Sequence, residues 1–344
     1  MAPNEEVSLA CEGVLHASAG WLKGLSYVII HQHTIDARID FDGVGVHAGT
    51  SVRLTLLPAK AHSGIVFHLV DADGTTLRSI KALSSNVPAT DLSTIVGDPS
   101  GQHVATIEHL MAALYAMGVD NVAIEIHGNE IPIMDGCSAA FVAAIESVGL
   151  RSQVARRRYI RVLKPVRVEM GACVAEYLPH PGTRFEIEID FPTPAIGRQT
   201  FAADLTPGLF RDELARARTF GFMKDVERLW ASGHALGSSL DNSVVIGDDD
   251  RIINPDGLRF VDEFVRHKAL DAVGDQALAG GRILGCYRSY RGGHKLNAMA
   301  LQALLADETA HEIVEMPERR RDIVRHSPLI AAAVAAPAHG PQTL

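Results

Sequence analysis

Hydrophobic residues in the first half of the chain recur at the spacings of strands and amphipathic helices. Alternation over 34–41 and apolar, β-branched runs over 51–57 and 64–70 predict strands. A stripe of apolar residues three and four apart predicts a helix over 104–117, which Gly118 ends. A further strand and a second helix are predicted at 121–126 and 139–147.

A charged stretch at 151–158 interrupts this pattern and predicts a linker, after which the pattern restarts. The second half has predicted strands at 159–169, 184–190, 244–246, 283–290 and 311–315, and predicted helices at 211–217, 265–275 and 295–305. Strands followed by paired helices indicate an α+β fold, with a β-sheet layered on helices in each half. The similar length and content of the two halves favour two similar domains that arose by duplication.

The predicted domains extend over 33–152 and 153–316. Residues 1–32 show weak patterning and are predicted to be a loosely ordered extension. The chain becomes basic after 317 and then rich in Ala and Pro, which predicts a loose tail over 317–344.

The composition is that of an ordinary soluble globular protein, with 47% hydrophobic and 21% charged residues. A formal net charge of -9 argues against a nucleic-acid partner. The four cysteines form no C-x-x-C pair, which argues against a disulfide framework and a thiolate zinc site. The chain lacks a run of about 18 apolar residues and a basic, signal-like N-terminus. We therefore expect a cytoplasmic protein without integral membrane association. We also expect a monomer.

His267, Asp271 and Asp275 recur every four residues and so stack along one face of the predicted helix at 265–275. Apolar neighbours place this helix against a core. A histidine and two carboxylates at a buried edge suit a metal site or an acid–base site. A solvated helix face with incidental charges would have the same spacing, so these residues alone leave both interpretations open.

Glu108 and His109 are adjacent in a predicted helix, so their side chains point roughly 100° apart. One can bind a metal while the other addresses a water on that metal, although an exposed Glu-His pair is the alternative. His109 with His267 and Asp271 gives two histidines and a carboxylate with one open position, which is typical of catalytic zinc. Zinc lowers the pKa of its bound water, and Glu108 is placed to act as general base. Iron(II) accepts the same ligand set.

His294 lies at a predicted loop-to-helix junction, where functional histidines often occur. If the bond cleaved is an amide, the departing amine needs a proton, which His294 can supply while Asp275 holds it charged and oriented. A surface histidine is the alternative, since the chain has 16 histidines. Lys268 and Arg291 could neutralise phosphates, but a solvated basic cluster is an equal explanation. The hydroxyl of Thr219 could bind an oxyanion, although such a residue more often caps or packs.

Six fragments, in this order and over most of the chain, closely resemble the UDP-3-O-acyl-N-acetylglucosamine deacetylase family of zinc amidohydrolases. The fragments are GVGVHAG (43–49), ATIEHLMAAL (105–114), EIPIMDG (130–136), ARTFGF (217–222), LRFVDEFVRHKALDAVGD (258–275) and GHKLN (293–297). The resemblance implies two α+β domains with the active site between them. It also implies hydrolysis of the N-acetyl group of UDP-3-O-(3-hydroxyacyl)-N-acetylglucosamine, the committed step of lipid A biosynthesis.

The resemblance further implies a role for each matching residue. Zinc would be bound by His109, His267 and Asp271. The catalytic residues would be Glu108 as general base, His294 as general acid, Asp275 beside His294, and Thr219 at the oxyanion. The substrate contacts would be Lys268, Phe220 and Arg291. The family's hydrophobic passage for the acyl chain would come from 189–196 and 240–246.

Departures from the family pattern are modest. Cys137 stands where a small Ser or Ala is typical, and Ala48 replaces a common hydroxyl. A zinc peptidase is a rival interpretation, but it would be expected to show H-E-x-x-H, which the Glu108-His109 helix lacks. A non-catalytic sugar-nucleotide binding protein is a second rival, and it would tolerate loss of Glu108 or His294.

Overall fold

Two large β-sheets organise residues 29–316, the part of the chain that this computed structural model describes. The strands are β1 (His31–Ile35), β2 (Ile39–Val44), β3 (Ser51–Pro58), β4 (Ile65–Val70), β5 (Thr76–Lys81), β6 (Val96–Gly97), β7 (His103–Val104), β8 (Val122–His127), β9 (Leu150–Arg156), β10 (Arg158–Val162), β11 (Val166–Met170), β12 (Cys173–Leu178), β13 (Thr183–Asp190), β14 (Arg198–Asp204), β15 (Phe220–Phe222), β16 (Val244–Ile246), β17 (Arg282–Tyr290) and β18 (His311–Glu315). The longer helices are α1 (Glu108–Met117), α2 (Ala139–Val148), α3 (Met223–Ala231), α4 (Glu263–Gln276) and α5 (His294–Ala306).

The first sheet has the strand order β2-β3-β8-β4-β5. Its strands pair antiparallel except for β4 and β8, which run parallel. Alternate residues of β3 and β8 face inward, so that Leu54 and Ile124 are fully buried. They share one core with the apolar residues of α1 and α2. Phe141 of α2 contacts Phe41 of β2 edge to face, with ring centroids 5.1 Å apart.

The second sheet is built around β17. This strand pairs antiparallel with β12 and parallel with β10 and β13. Strands β11 and β18 extend the sheet beyond β12 and β10, and β14 pairs antiparallel with β13. Helices α4 and α5 pack on this sheet, α4 against β13 and β14 and α5 against β11 and β12. The two sheets with their helices confirm the predicted α+β class. The domain limits of 33–152 and 153–316 stay a prediction.

Several predicted elements are wrong in position or kind. The charged stretch at 151–158 is not a linker: it contains β9, which pairs with β1. Within it Arg157 is 1% exposed, because its guanidinium donates to Asp120 and to the carbonyl of Gly118. The single strand predicted at 159–169 is two strands, β10 and β11. The helix predicted at 211–217 lies earlier, as short helical turns at Pro207–Leu209 and Phe210–Leu214.

Other boundaries moved by a few residues. Helix α1 begins four residues after its predicted start, because Val104 belongs to β7 and Thr106 adopts a left-handed φ of 57°. The run predicted as one strand at 34–41 is split between β1 and β2. Strand β1 begins at His31, two residues before the predicted domain limit. The predictions for residues 1–28 and 317–344 lie outside the described residues.

Helices α1 and α4 have the most extensive helix–helix contact among the described residues, and a glycine permits their close approach. Gly274 of α4 faces the first turn of α1 at Glu108. A Cβ on Gly274 would meet the carbonyl oxygen of Glu108 and lie 2.8 Å from its carbonyl carbon. Because α1 begins with Glu108 and His109, and α4 carries His267 and Asp271, this contact brings the predicted site residues together.

We expect Gly274→Ala to destabilise the protein although Ala is the better helix former. Overpacking costs about 1–3 kcal/mol, more than the gain of up to about 1 kcal/mol from helix propensity. The measurement is the midpoint of urea unfolding. Gly208→Ala is the matched control, since its added Cβ would have its nearest neighbour, Arg211, at 3.7 Å. Equal midpoints for the two variants would contradict the proposed steric constraint.

Candidate metal centre

His109, His267 and Asp271 converge in the interior as predicted from the sequence. Their candidate ligand atoms all lie within 4.8 Å of one another. Oδ1 of Asp271 is 3.7 Å from Nε2 of His109 and 3.3 Å from Nε2 of His267. The two imidazole rings meet edge to face with centroids 5.0 Å apart. The cluster joins one candidate ligand from α1 to two from consecutive turns of α4.

The hydrogen bonds around these three residues leave the inward-facing atoms free for a cation. Nδ1 of His267 is 3.0 Å from the carbonyl oxygen of Ala217. Because a carbonyl only accepts, Nδ1 carries the proton and the lone pair of Nε2 faces the cluster. Oδ2 of Asp271 accepts from Lys268 over 2.9 Å, while its buried Oδ1 has no hydrogen-bond partner among the described residues. An orphaned carboxylate oxygen facing two imidazole nitrogens fits a divalent metal.

Burial keeps both histidines neutral, the form that binds metal. It lowers the pKa of His109 to about 3, with a further contribution from the neighbouring His267. Burial likewise lowers the pKa of His267. Neither ring therefore competes for protons at neutral pH.

Glu108 and His294 lie on either side of a gap next to this cluster. Oε1 of Glu108 is 3.8 Å from Nε2 of His294, and that nitrogen is 4.0 Å from Oδ2 of Asp271. Burial raises the pKa of Glu108 to about 7. Burial alone would lower the pKa of His294, but the carboxylates of Asp275 and Glu108 outweigh it and raise the value to about 10. The gap thus has on one side the carboxyl group of Glu108, whose pKa is near neutral pH, and on the other the protonated imidazole of His294.

Asp275 lies behind His294 and orients it. Its Oδ2 is 2.9 Å from Nδ1 of His294 and accepts from the amide of Asn297 over 2.7 Å. Its Oδ1 accepts from the hydroxyl of Thr94 over 2.5 Å. The bond to Nδ1 directs Nε2 of His294 towards Glu108 and Asp271.

A buried ion pair fixes the loop that carries Thr219. Glu263, at the start of α4, is fully buried and accepts from the backbone N–H and the guanidinium of Arg218. Arg218 stands between Ala217, whose carbonyl meets His267, and Thr219. The ion pair therefore attaches this loop to the helix that provides two of the candidate metal ligands.

A cavity of about 440 Å³ opens onto the cluster, and both halves of the chain line it. Thr219, Phe220 and Lys268 line this cavity, and their roles as oxyanion and substrate contacts stay a prediction. The ammonium of Lys268 lies 5.5 Å from the ring centroid of Phe220. Arg291 does not line the cavity: it is exposed after β17, with its guanidinium 6.0 Å from the ring centroid of Tyr290.

The apolar part of the cavity differs from the predicted acyl passage. Residues from 240–246 contribute through Ser243 and the apolar Val245, but none from 189–196 does so. Helix α3, which the sequence pattern did not reveal, contributes Val226 and Leu229 instead. Its apolar residues recur three apart, separated by pairs of charged residues. This short amphipathic pattern was the signal from which the helix could have been predicted.

Two further residues at the site were not predicted from the sequence. Thr94 donates its backbone N–H to Oε2 of Glu108 over 3.0 Å and its hydroxyl to Asp275. His47 of the GVGVHAG fragment lines the cavity, and its backbone N–H donates to Glu130. Glu130 belongs to the EIPIMDG fragment, so the two fragments meet in space. Thr94 lies outside all six fragments and gave no signal in the sequence.

We expect Asp271→Asn to abolish high-affinity binding of a divalent metal, because the amide offers a neutral and weaker ligand oxygen. The effect should exceed the roughly 10–100-fold loss typical of an outer-shell change. Asp275→Asn is the matched control: it makes the same change one turn later, outside the three-residue cluster. Titration with Co²⁺, followed by its visible absorption, measures both affinities. Equal affinities for the two variants would contradict the assignment of Asp271 as a ligand.

No helix within residues 29–316 is long and apolar enough to span a membrane.

Comparison with known proteins assigns the chain to a family. A family model described as UDP-3-O-acyl N-acetylglycosamine deacetylase matches residues 32–306. Relatives named UDP-3-O-acyl-N-acetylglucosamine deacetylase from Brucella ovis and Brucella abortus are each 57% identical over 285 residues, covering 83% of this chain and 99% of each relative. The relative of that name from Brucella melitensis is 56% identical over the same length. The chain belongs to the UDP-3-O-acyl N-acetylglycosamine deacetylase family.

Proposed function

We propose that the protein hydrolyses the N-acetyl group of UDP-3-O-(3-hydroxyacyl)-N-acetylglucosamine, a step of lipid A biosynthesis. The products are acetate and UDP-3-O-(3-hydroxyacyl)-glucosamine. The observation that carries this proposal is the Glu108–His294 pair, 3.8 Å apart beside the cluster of His109, His267 and Asp271. The Brucella relatives are named UDP-3-O-acyl-N-acetylglucosamine deacetylases, and this name supplies the substrate class.

The proposed metal is zinc, bound by His109, His267 and Asp271. When bound, zinc supplies Lewis-acid activation of the water and of the amide carbonyl. Two imidazoles and one carboxylate suit catalytic zinc, and the same set suits iron(II).

In the proposed reaction, Glu108 takes a proton from the attacking water, and His294 gives a proton to the departing nitrogen. The water oxygen forms a bond to the acetyl carbon, the C–N bond breaks, and the amine leaves protonated. The pKa of Glu108, which burial raises to about 7, suits a group that accepts and releases protons near neutral pH. Asp275 keeps His294 protonated and directed at the gap.

Other lining residues have proposed roles in binding. The hydroxyl of Thr219, which has no hydrogen-bond partner among the described residues, would donate to the oxyanion. Lys268 and Phe220 would contact the polar part of the substrate. Arg291, which is exposed two residues before the lining residue Gly293, is proposed as a further substrate contact. The apolar wall that includes Val226 and Leu229 of α3 would hold the acyl chain. We further propose that the protein is a monomer and that its location is cytoplasmic.

We expect Glu108→Gln to lower kcat by about 10²–10⁴-fold while leaving the metal content unchanged, since general-base catalysis contributes on that order. Acetate release from the UDP-3-O-acyl-N-acetylglucosamine substrate measures the rate, and elemental analysis measures the metal. Glu146→Gln, on the exposed side of α2, is the control and should behave as wild type. A wild-type protein that binds the substrate but releases no acetate would instead indicate a non-catalytic sugar-nucleotide binding protein.

A further inference from the structure

Thr94 connects the proposed general base with the carboxylate that orients the proposed general acid. Its backbone N–H donates to Oε2 of Glu108 over 3.0 Å, and its hydroxyl donates to Oδ1 of Asp275 over 2.5 Å. Its carbonyl accepts from the N–H of Ile107, just before α1. Thr94 itself is 1% exposed, so solvent does not replace any of these partners.

These three bonds attach one residue to both helices of the site. The backbone groups of Thr94 hold it to the start of α1, next to Glu108, and its side chain reaches Asp275 in the last part of α4. Position 94 is 14 residues from Glu108 and 181 from Asp275. The hydroxyl thus adds a hydrogen bond between the segment at the start of α1 and the end of α4, beyond the direct packing of the two helices.

The hydroxyl of Thr94 also belongs to the set of hydrogen bonds that hold the carboxylate of Asp275. That carboxylate accepts from Thr94 at Oδ1, and at Oδ2 it meets Nδ1 of His294 and the amide of Asn297. The side-chain oxygen of Asn297 in turn accepts from the hydroxyl of Tyr287 over 2.5 Å. With Thr94 holding one oxygen and Asn297 the other, Asp275 has a fixed plane, and the imidazole of His294 has a fixed direction.

We propose that Thr94 is a positioning residue for the deacetylation reaction, which sets the distance and orientation between Glu108 and His294 through Asp275. This inference rests on the proposed function. Removal of the hydroxyl releases one oxygen of Asp275 and lets His294 rotate away from the departing nitrogen, so that proton transfer slows. The substrate contacts on Thr219, Phe220 and Lys268 are untouched, so binding stays the same.

The test compares Thr94→Val with Thr94→Ala and Thr94→Ser. Val keeps the volume of Thr but places a methyl group against Asp275. Ala removes the hydroxyl without adding that methyl group. A defect shared by both variants therefore reports loss of the hydroxyl and not overpacking. Both are expected to lower kcat about 10–100-fold, since a misplacement of about 1 Å in a reacting group can cost 10²-fold, with little change in KM. Ser keeps the hydroxyl and is expected to restore kcat to near the wild-type value.

The matched control is Thr55→Val. Thr55 is also a buried threonine whose hydroxyl donates to an aspartate, Asp40, over 2.6 Å, but it lies in β3 away from the cavity. This variant should keep wild-type kcat. A double-mutant cycle with Asp275→Asn completes the set: if Thr94 acts through Asp275, then Thr94→Val costs little more in that background.

A second readout does not depend on activity. In protein labelled with ¹⁵N-histidine, the Nδ1 resonance of His294 reports its hydrogen bond to Asp275 and is expected to shift in Thr94→Val but not in Thr55→Val. An unchanged kcat together with an unchanged His294 resonance in Thr94→Val overturns the positioning role, as does additivity with Asp275→Asn. Absence of acetate release by the wild type overturns the proposed function instead, and the resonance still decides the role of Thr94.

Discussion

The close approach of α1 and α4 is the constraint on which the candidate site depends. Each helix alone carries an incomplete set: α1 provides Glu108 and His109, and α4 provides two candidate ligands and Asp275. The missing side chain of Gly274 allows the backbones to come together at Glu108. A methyl group at this position would clash with the Glu108 carbonyl and so would push His109 on α1 away from His267 and Asp271 on α4.

The same contact concentrates ionisable groups in a buried space, which is costly unless each charge has a partner. Lys268 donates to Asp271, and Asp275 has three polar partners. Among the described residues, the carboxylate of Glu108 meets backbone N–H groups and an imidazole 3.8 Å away, and burial raises its pKa to about 7. The uneven distribution of partners therefore gives the two carboxylates different surroundings: Asp275 is held in a fixed orientation, while Glu108 is left able to exchange a proton.

The helical part of the site was predictable because its information is local. His267, Asp271 and Asp275 share a face through four-residue spacing alone, and Glu108 is next to His109. The strands β3, β8 and β17 were predictable for the same reason, since each has its own apolar pattern. The stretch at 151–158 was misjudged because its charges look solvated, whereas Arg157 is buried by partners that lie far away in the sequence.

Residues whose role depends on the fold could not be found in this way. Thr94 has the local pattern of a loop. It matters for the site only because that loop contacts two helices that are distant in sequence. Glu263 and Arg218 likewise look like ordinary surface charges, yet they bury each other and thereby aim the Ala217 carbonyl at His267. The groups that could meet a substrate thus come from short patterns, while the groups that hold them in place come from long-range contacts. A change in the second set alters orientation without altering any candidate ligand, which is why the two sets are separable by experiment.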